Sequence, residues 1–185
     1  MYDCIYEDEN ILIRKANNED IHDLHKLMNN QQVMEYYGES ATTLESVRSE
    51  IEWFNSLFDL NCGRWVIEDR KSGQCIGDIG VFDYNEKHKK GEIGYKLDAN
   101  YWGKGIMSRC LQVVLKVVFD DWGYNRVEAL VDVRNIGCIK LLEKNYFIKE
   151  GTLRDYEFEH GHYVNLEIHS ILCKEFRISQ KYKSE

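Results

Sequence analysis

The chain has no closely spaced cysteine pair, no long apolar run and no surplus of positive charge, and each absence removes a class of function. Its six cysteines, Cys4, Cys62, Cys75, Cys110, Cys138 and Cys173, lie far apart. Without a C-x-x-C pair there is neither a zinc nor a redox motif, so no metal is expected and the thiols read as reduced, in cytoplasm. The most apolar stretch, Leu111 to Phe119, is broken by Lys116 and falls short of the roughly 20 residues a membrane span needs; no membrane partner is expected. The segment Met1 to Asn10 is acidic and lacks the basic-then-apolar order of a secretory signal. With 32 Asp and Glu against 24 Lys and Arg, the net charge of -8 speaks against direct nucleic-acid binding and leans toward a cationic partner. No repeat or linker interrupts the sequence, and 185 residues suffice for one packed domain over 1–185, with 180–185 expected as a disordered tail.

Periodicity predicts a mixed order of elements. Ile11, Ile13 and Ala16 open a strand, Asn17 to Asp20 cap a helix through Met28, and Thr42 or Thr43 starts a second helix with Val47, Ile51, Phe54, Leu57 and Phe58 on one stripe. Three strands follow as an antiparallel meander, Arg64 to Asp69, Gln74 to Phe82 and Glu92 to Leu97. A long buried helix then runs from Gly103–Gly105 to about Trp122. Val127 to Val133 reads as a strand, Asn135 caps a short helix through Lys144, and Phe147 to Phe158 with Tyr163 to Cys173 form a hairpin turning at His160–Gly161.

The most informative stretch joins Glu92-Ile93-Gly94-Tyr95-Lys96-Leu97 to Trp102-Gly103-Lys104-Gly105-Ile106-Met107-Ser108. A strand, a glycine turn and a helix N-terminus make an anion cradle: backbone N–H groups converge on phosphate oxygens and the helix end adds partial positive charge. Lys104 can add a full charge. The two glycines could equally serve only a tight connection. A P-loop would need Ser or Thr after Gly103-Lys104, where Gly105 stands, and a dinucleotide turn would need a third glycine where Ser108 stands.

Together with Asn125-Arg126-Val127-Glu128, Asn135 to Lys144 and Glu150-Gly151-Thr152-Leu153-Arg154-Asp155, these blocks make the chain similar to the GNAT acetyltransferases, and among them to the RimJ/RimL type that acetylates ribosomal proteins. The resemblance covers nearly the whole chain and implies an α+β fold: a central, mostly antiparallel twisted sheet with one splayed parallel strand pair, flanked by helices. It implies acetyl-CoA as cosubstrate, its pyrophosphate on the amides of Gly103 to Ser108 and its pantetheine arm along Gly94 to Leu97, with Asn135 bonding that arm. Asn135 also reads as a helix N-cap. The family's turn has Gln or Arg where Trp102 stands and Gly or Ala where Met107 stands.

By the same resemblance Glu157 matches a glutamate that acts as base through water, although Glu157 and Glu159 alternate with Phe158 as on any half-buried strand. Glu92, at the start of the pantetheine strand, is a second candidate. The family's acidic tyrosine falls at Leu142, and the serine used by the RimL type falls at Cys138. Cys138 is therefore either the acid or inert packing. The implied acceptor is a primary amine, a ribosomal-protein N-terminus first, a polyamine or other small amine second; a non-catalytic acetyl-CoA-binding module is the alternative of another class. A homodimer through exposed strand edges is expected. His22, His25, His160 and His162 read as solvated surface.

Overall fold

The computed structural model of the protein describes residues 2–38 and 42–183. Eight strands form one sheet in the order β1-β2-β3-β4-β5-β6-β8-β7: β1 (Cys4–Glu7), β2 (Ile11–Lys15), β3 (Gly63–Asp69), β4 (Cys75–Asn85), β5 (Lys90–Leu97), β6 (Arg126–Asp132), β7 (Ile148–Glu159) and β8 (His162–Leu172). All neighbours are antiparallel except β5 and β6. Helices cover both faces: α1 (Ile21–Met28) and α2 (Leu44–Ser56) on one, α3 (Ile106–Lys116), α4 (Ile136–Lys144) and α5 (Cys173–Lys183) elsewhere.

Sequence chemistry explains the boundaries. Asn17 and Thr43 each accept a backbone N–H and complete a capping box with Asp20 and Ser46. Ile21, Leu24 and Leu27 of α1 and Val47 and Ile51 of α2 bury one stripe against Val66 and Cys75. On the opposite face Cys110, Leu111, Val114 and Leu115 of α3 pack on Trp65, Ile67, Ile79 and Ile93. The β7–β8 turn is carried by His160 and Gly161, at φ 49° and 84°, the doubly left-handed pair of a tight hairpin.

The structure departs from expectation in four places. β1 is a short strand whose four residues, two exposed and two half-buried, did not announce it. Helix α3 stops at Lys116 and continues as a π turn over Val117–Asp121, closed by Trp122 N–H on the Val117 carbonyl at 3.1 Å. β4 runs on to Asn85. The predicted disordered tail is helical as far as Lys183, because Phe176 is buried against Phe119 with ring centroids 5.3 Å apart and Gln180 donates to Gln112 at 2.6 Å; residues 184 and 185 lie outside the described residues. Among the described residues no helix is long and apolar enough to cross a membrane.

The site is positioned by the parallel pair. Lys90, Gly91 and Glu92 pair with Arg126, Val127 and Glu128, and the pairing ends there. The strands then part.

Candidate active site

A cleft of about 410 Å³ opens along the parted edge of β5 toward α3 and α4. Of the candidate cofactor residues, Tyr95, Lys96, Leu97, Trp102, Gly103, Gly105, Ile106, Met107, Ser108 and Asn135 line it, together with Cys138. Gly94 and Lys104 do not. Gly94 faces the α2 side, where an added Cβ would meet Phe82 at 3.0 Å and Arg64 at 3.2 Å. Lys104 lays its ammonium over the Tyr101 ring, 5.0 Å from the centroid.

The turn expected to bind phosphate has the conformation its glycines allow. Gly103 and Gly105 sit at φ 73° and 77° with nothing within 4 Å of an added Cβ, so the turn is open to solvent and left-handed, as glycine permits. The first N–H groups of α3 have no intrahelical acceptor and point out of the helix end. A pyrophosphate fits this donor set. Trp102 anchors the turn by donating its indole N–H to the Leu97 carbonyl at 2.7 Å.

The edge of β5 complements an amide-rich arm. Asp98 N–H turns toward β4, to the Ile76 carbonyl, so by strand alternation Tyr95 and Leu97 turn their backbone groups toward the splay. Both carbonyls there are engaged, Leu97 by Trp102 and Tyr95 by the Tyr37 hydroxyl. What the edge offers is N–H donors, the complement of carbonyl oxygens.

Residues 10–148 match the acetyltransferase (GNAT) domain. The chain belongs to the GNAT acetyltransferase family. It is 32% identical over 170 residues to the uncharacterized N-acetyltransferase YoaA of Bacillus subtilis (strain 168), covering 91% of this chain and 96% of YoaA. Its fold is that of the ribosomal-protein-S5-alanine acetyltransferase from Vibrio fischeri (TM-score 0.81, 22% identity, 92% of this chain and 97% of that one). It is equally that of the spermidine N-acetyltransferase from Vibrio cholerae in complex with CoA and spermine (TM-score 0.80, 23% identity, 92% and 99%). The protein is thus an acetyl-CoA-dependent N-acetyltransferase.

Within the acetyltransferase the remaining candidate residues divide sharply. Asn135 accepts the Cys138 N–H at 3.0 Å, so it caps α4 while bordering the cleft. Ser108 donates to Asn145 at 3.1 Å. Lys96 is buried with its ammonium 3.7 Å from Asp78, which also binds Arg64; burial pushes its pKa down and Asp78 opposes this. Its charge therefore serves a buried cluster beneath α2. Leu142 is wholly buried. In place of the missing tyrosine hydroxyl, Tyr95 brings one from β5, 3.1 Å from Cys138 Sγ. Burial pushes the Cys138 thiol up to about 11 and the Tyr95 phenol further, so both hold their protons.

On the opposite face of the splay lie the carboxylates. Glu92 is half-buried and its pKa is pushed up to about 7, first by burial and then by Asp83, Glu157 and Glu128, with Lys90 acting against them. Glu157 is exposed; Glu159 is buried, and burial with the Glu157 carboxyl beside it raises its pKa. The family resemblance puts Glu157 ahead of Glu92, and a resemblance carries no information about the desolvation that distinguishes Glu92. Tyr37 was not visible as a residue of the cleft at all: nothing in the polar segment between α1 and α2 marks it. Its hydroxyl reaches β5, its ring lies under Lys96 at 5.4 Å and its carbonyl meets His160 Nε2 at 3.1 Å. His162 stands 3.3 Å from Arg134.

Proposed function

We propose that this acetyltransferase acetylates the α-amino group of a polypeptide N-terminus, with Glu92 as the base. The observation that carries the reading is the Glu92 carboxyl, desolvated at the mouth of the splay with a pKa of about 7. A base is most effective near the operating pH. It lies about one unit below an α-amino group, whose pKa is about 8, and more than three below an alkyl amine at about 10.4. The first transfer is the easier of the two.

The acetyl donor, held by the turn Gly103 to Ser108, with Asn135 beside its arm and the β5 edge along it, supplies an activated acyl group at the splay. Backbone N–H groups of β5 polarise its carbonyl. Glu92 takes the ammonium proton, the amine nitrogen bonds the acyl carbon, and the carbon–sulfur bond breaks. The Tyr95 hydroxyl, held by Cys138, donates a hydrogen bond to the departing thiolate, and the second proton, shed by the nitrogen as it becomes an amide, ends on that sulfur and leaves the phenol protonated. Glu157 acts beside Glu92 by keeping its carboxyl basic. Cys138 is in this reading a partner of the acid.

A second reading, a polyamine acceptor, is favoured by the shared negative field of Glu92, Glu157 and Glu159, which attracts a cation with a second charge beyond the reacting amine. Relatives of both kinds exist, one acting on ribosomal protein S5 and one on spermidine. The discriminating experiment measures thiol release from acetyl-CoA with ribosomal N-terminal peptides, the same peptides blocked at the α-amine, and spermidine. Turnover confined to free N-termini and abolished by Glu92→Gln supports the first reading, and turnover with spermidine alone replaces it by the second. Acetyl-CoA binding without release from any amine overturns both. Sedimentation would test the homodimer proposed for the open β7 edge.

A further inference from the structure

We propose that Asn165 is a positioning residue for acetyl transfer: its side-chain oxygen fixes the β7 bulge that bends the hairpin tip and brings Glu157 over the acceptor face beside Glu92. The proposal rests on the reading of Glu92 as the base.

The register of β7 shifts twice, between Lys149 and Gly151 and again between Leu153 and Glu157, and the second shift, nearer the tip, is the bulge in question. Leu153 pairs with Leu166 and Glu157 with Val164, so four steps along β7 match two along β8 and two residues are extra. Asp155, within the bulge, adopts φ 49°, a left-handed conformation that costs a side-chain-bearing residue energy. Its N–H donates to Asn165 Oδ1 at 2.8 Å. A bulge bends its strand and re-aims the side chains beyond it.

That bend is needed for Glu157 to matter. Directly paired residues share a face, and the chain of pairs Glu157–Val164, Leu166–Asp132 and Glu128–Glu92 places Glu157 and Glu92 on the same face of the sheet. Asp132 lies four residues up β6 from Glu128, about 13 Å at strand rise, and Glu157 lies beyond it and two strands across from β6. A flat sheet would leave it remote. Instead its charge acts on Glu92, and the tip reaches the segment before α2, where His160 Nε2 lies 3.1 Å from the Tyr37 carbonyl. The other ionised groups acting on Glu92 are Asp83 after the middle of β4, Glu128 on β6 and Lys90 on β5 itself; Asn165 touches none of them. Asn165 and Asp155 are both exposed, so replacing either leaves the core intact.

The test follows the Glu92 carboxyl directly, by ¹³C NMR titration of the full-length protein without substrates, its resonance being the one lost in Glu92→Gln. Asn165→Ala is expected to lower the midpoint by about half a pH unit, as Glu157→Gln does. The double substitution should lower it no further than Glu157→Gln alone. Asp155→Gly on the Asn165→Ala background should return it toward wild type, since glycine takes the left-handed conformation unaided. A wild-type midpoint in Asn165→Ala, or shifts that add in the double variant, overturns the proposal. The pH profile of kcat/KM for the same variants separates the two claims: a profile that ignores the Glu92 midpoint sinks Glu92 as base, while the titration still decides whether Asn165 places Glu157.

Discussion

The Tyr95 hydroxyl stands 3.1 Å from the Cys138 thiol, across the cleft floor between β5 and α4. Neither group ionises readily, because burial raises both, so the pair stays protonated, a hydrogen-bond donor and not a nucleophile. This geometry argues against a covalent acetyl-cysteine and for donation to the leaving thiolate. Tyr95→Phe is expected to lower kcat about 100-fold with little change in the KM for acetyl-CoA. Cys138→Ala should cost less than tenfold by the same scale, since it removes only the phenol's partner. A larger loss from Cys138→Ala than from Tyr95→Phe in steady-state kinetics would reverse the two roles.

Gly105 precedes α3 at φ 77°. Alanine there meets no neighbour within 4 Å, so the change tests backbone conformation alone. Left-handed backbone costs an alanine about 1–2 kcal/mol, and the turn will relax away from its anion-binding shape. Gly105→Ala is expected to raise the KM for acetyl-CoA about tenfold or more while sparing kcat. The thermal shift given by CoA in wild type and variant checks it; an undiminished shift would mean that the amides of this turn do not hold the phosphates.

Most of the architecture is written in periodicity and caps. The alternation of Ile11 with Ile13, the stripe of Val47 and Ile51, and the glycines at 103 and 105 each specify one local conformation, and the structure realises them. The missed elements are those whose stability comes from elsewhere. β1 is held by pairing with β2 and by Tyr2, whose carbonyl accepts the Trp65 indole N–H at 3.0 Å. The π turn arises in a stretch that is apolar on most faces, where spacing cannot tell α from π. In the site, the left-handed turn at Gly103 and Gly105 was legible because glycine has a backbone meaning, whereas the raised pKa of Glu92 depends on burial and on carboxylates from three other strands. No local pattern encodes that.

Helix α5 shows the same dependence. Its charged sequence gives it little intrinsic reason to form, and Phe176 is what ties it down, buried beside Phe119. Phe176→Ala should cost about 3–5 kcal/mol and release the helix. Denaturant unfolding gives the loss, and hydrogen exchange should show protection falling first from residue 173 onward. Uniform loss of protection across the sheet would instead make α5 part of the core's single cooperative unit.

Glu92 carries a stability signature that needs no substrate. Its folded pKa, about 7, lies above an ordinary value of 4.5, so between those values the native state holds more protons than the unfolded chain. Stability therefore falls as pH rises from 4.5 to 7 and stays lowered above it. The gap of 2.5 units sets an upper bound of about 3 kcal/mol, and partial exposure reduces it to about 1–2 kcal/mol. Glu92→Gln removes a charge that the fold resists, and so should stabilise the protein by that amount at pH 8 and by nothing near pH 4. In the wild type kcat/KM should fall below about pH 7 as Glu92 is protonated. Paired melting curves at pH 4 and pH 8 check the first expectation, and equal stability of the two proteins at pH 8 would mean that Glu92 ionises freely, leaving no poised base in the splay. A gain in stability bought with a loss of activity is the trade expected where a binding site holds a carboxylate out of water.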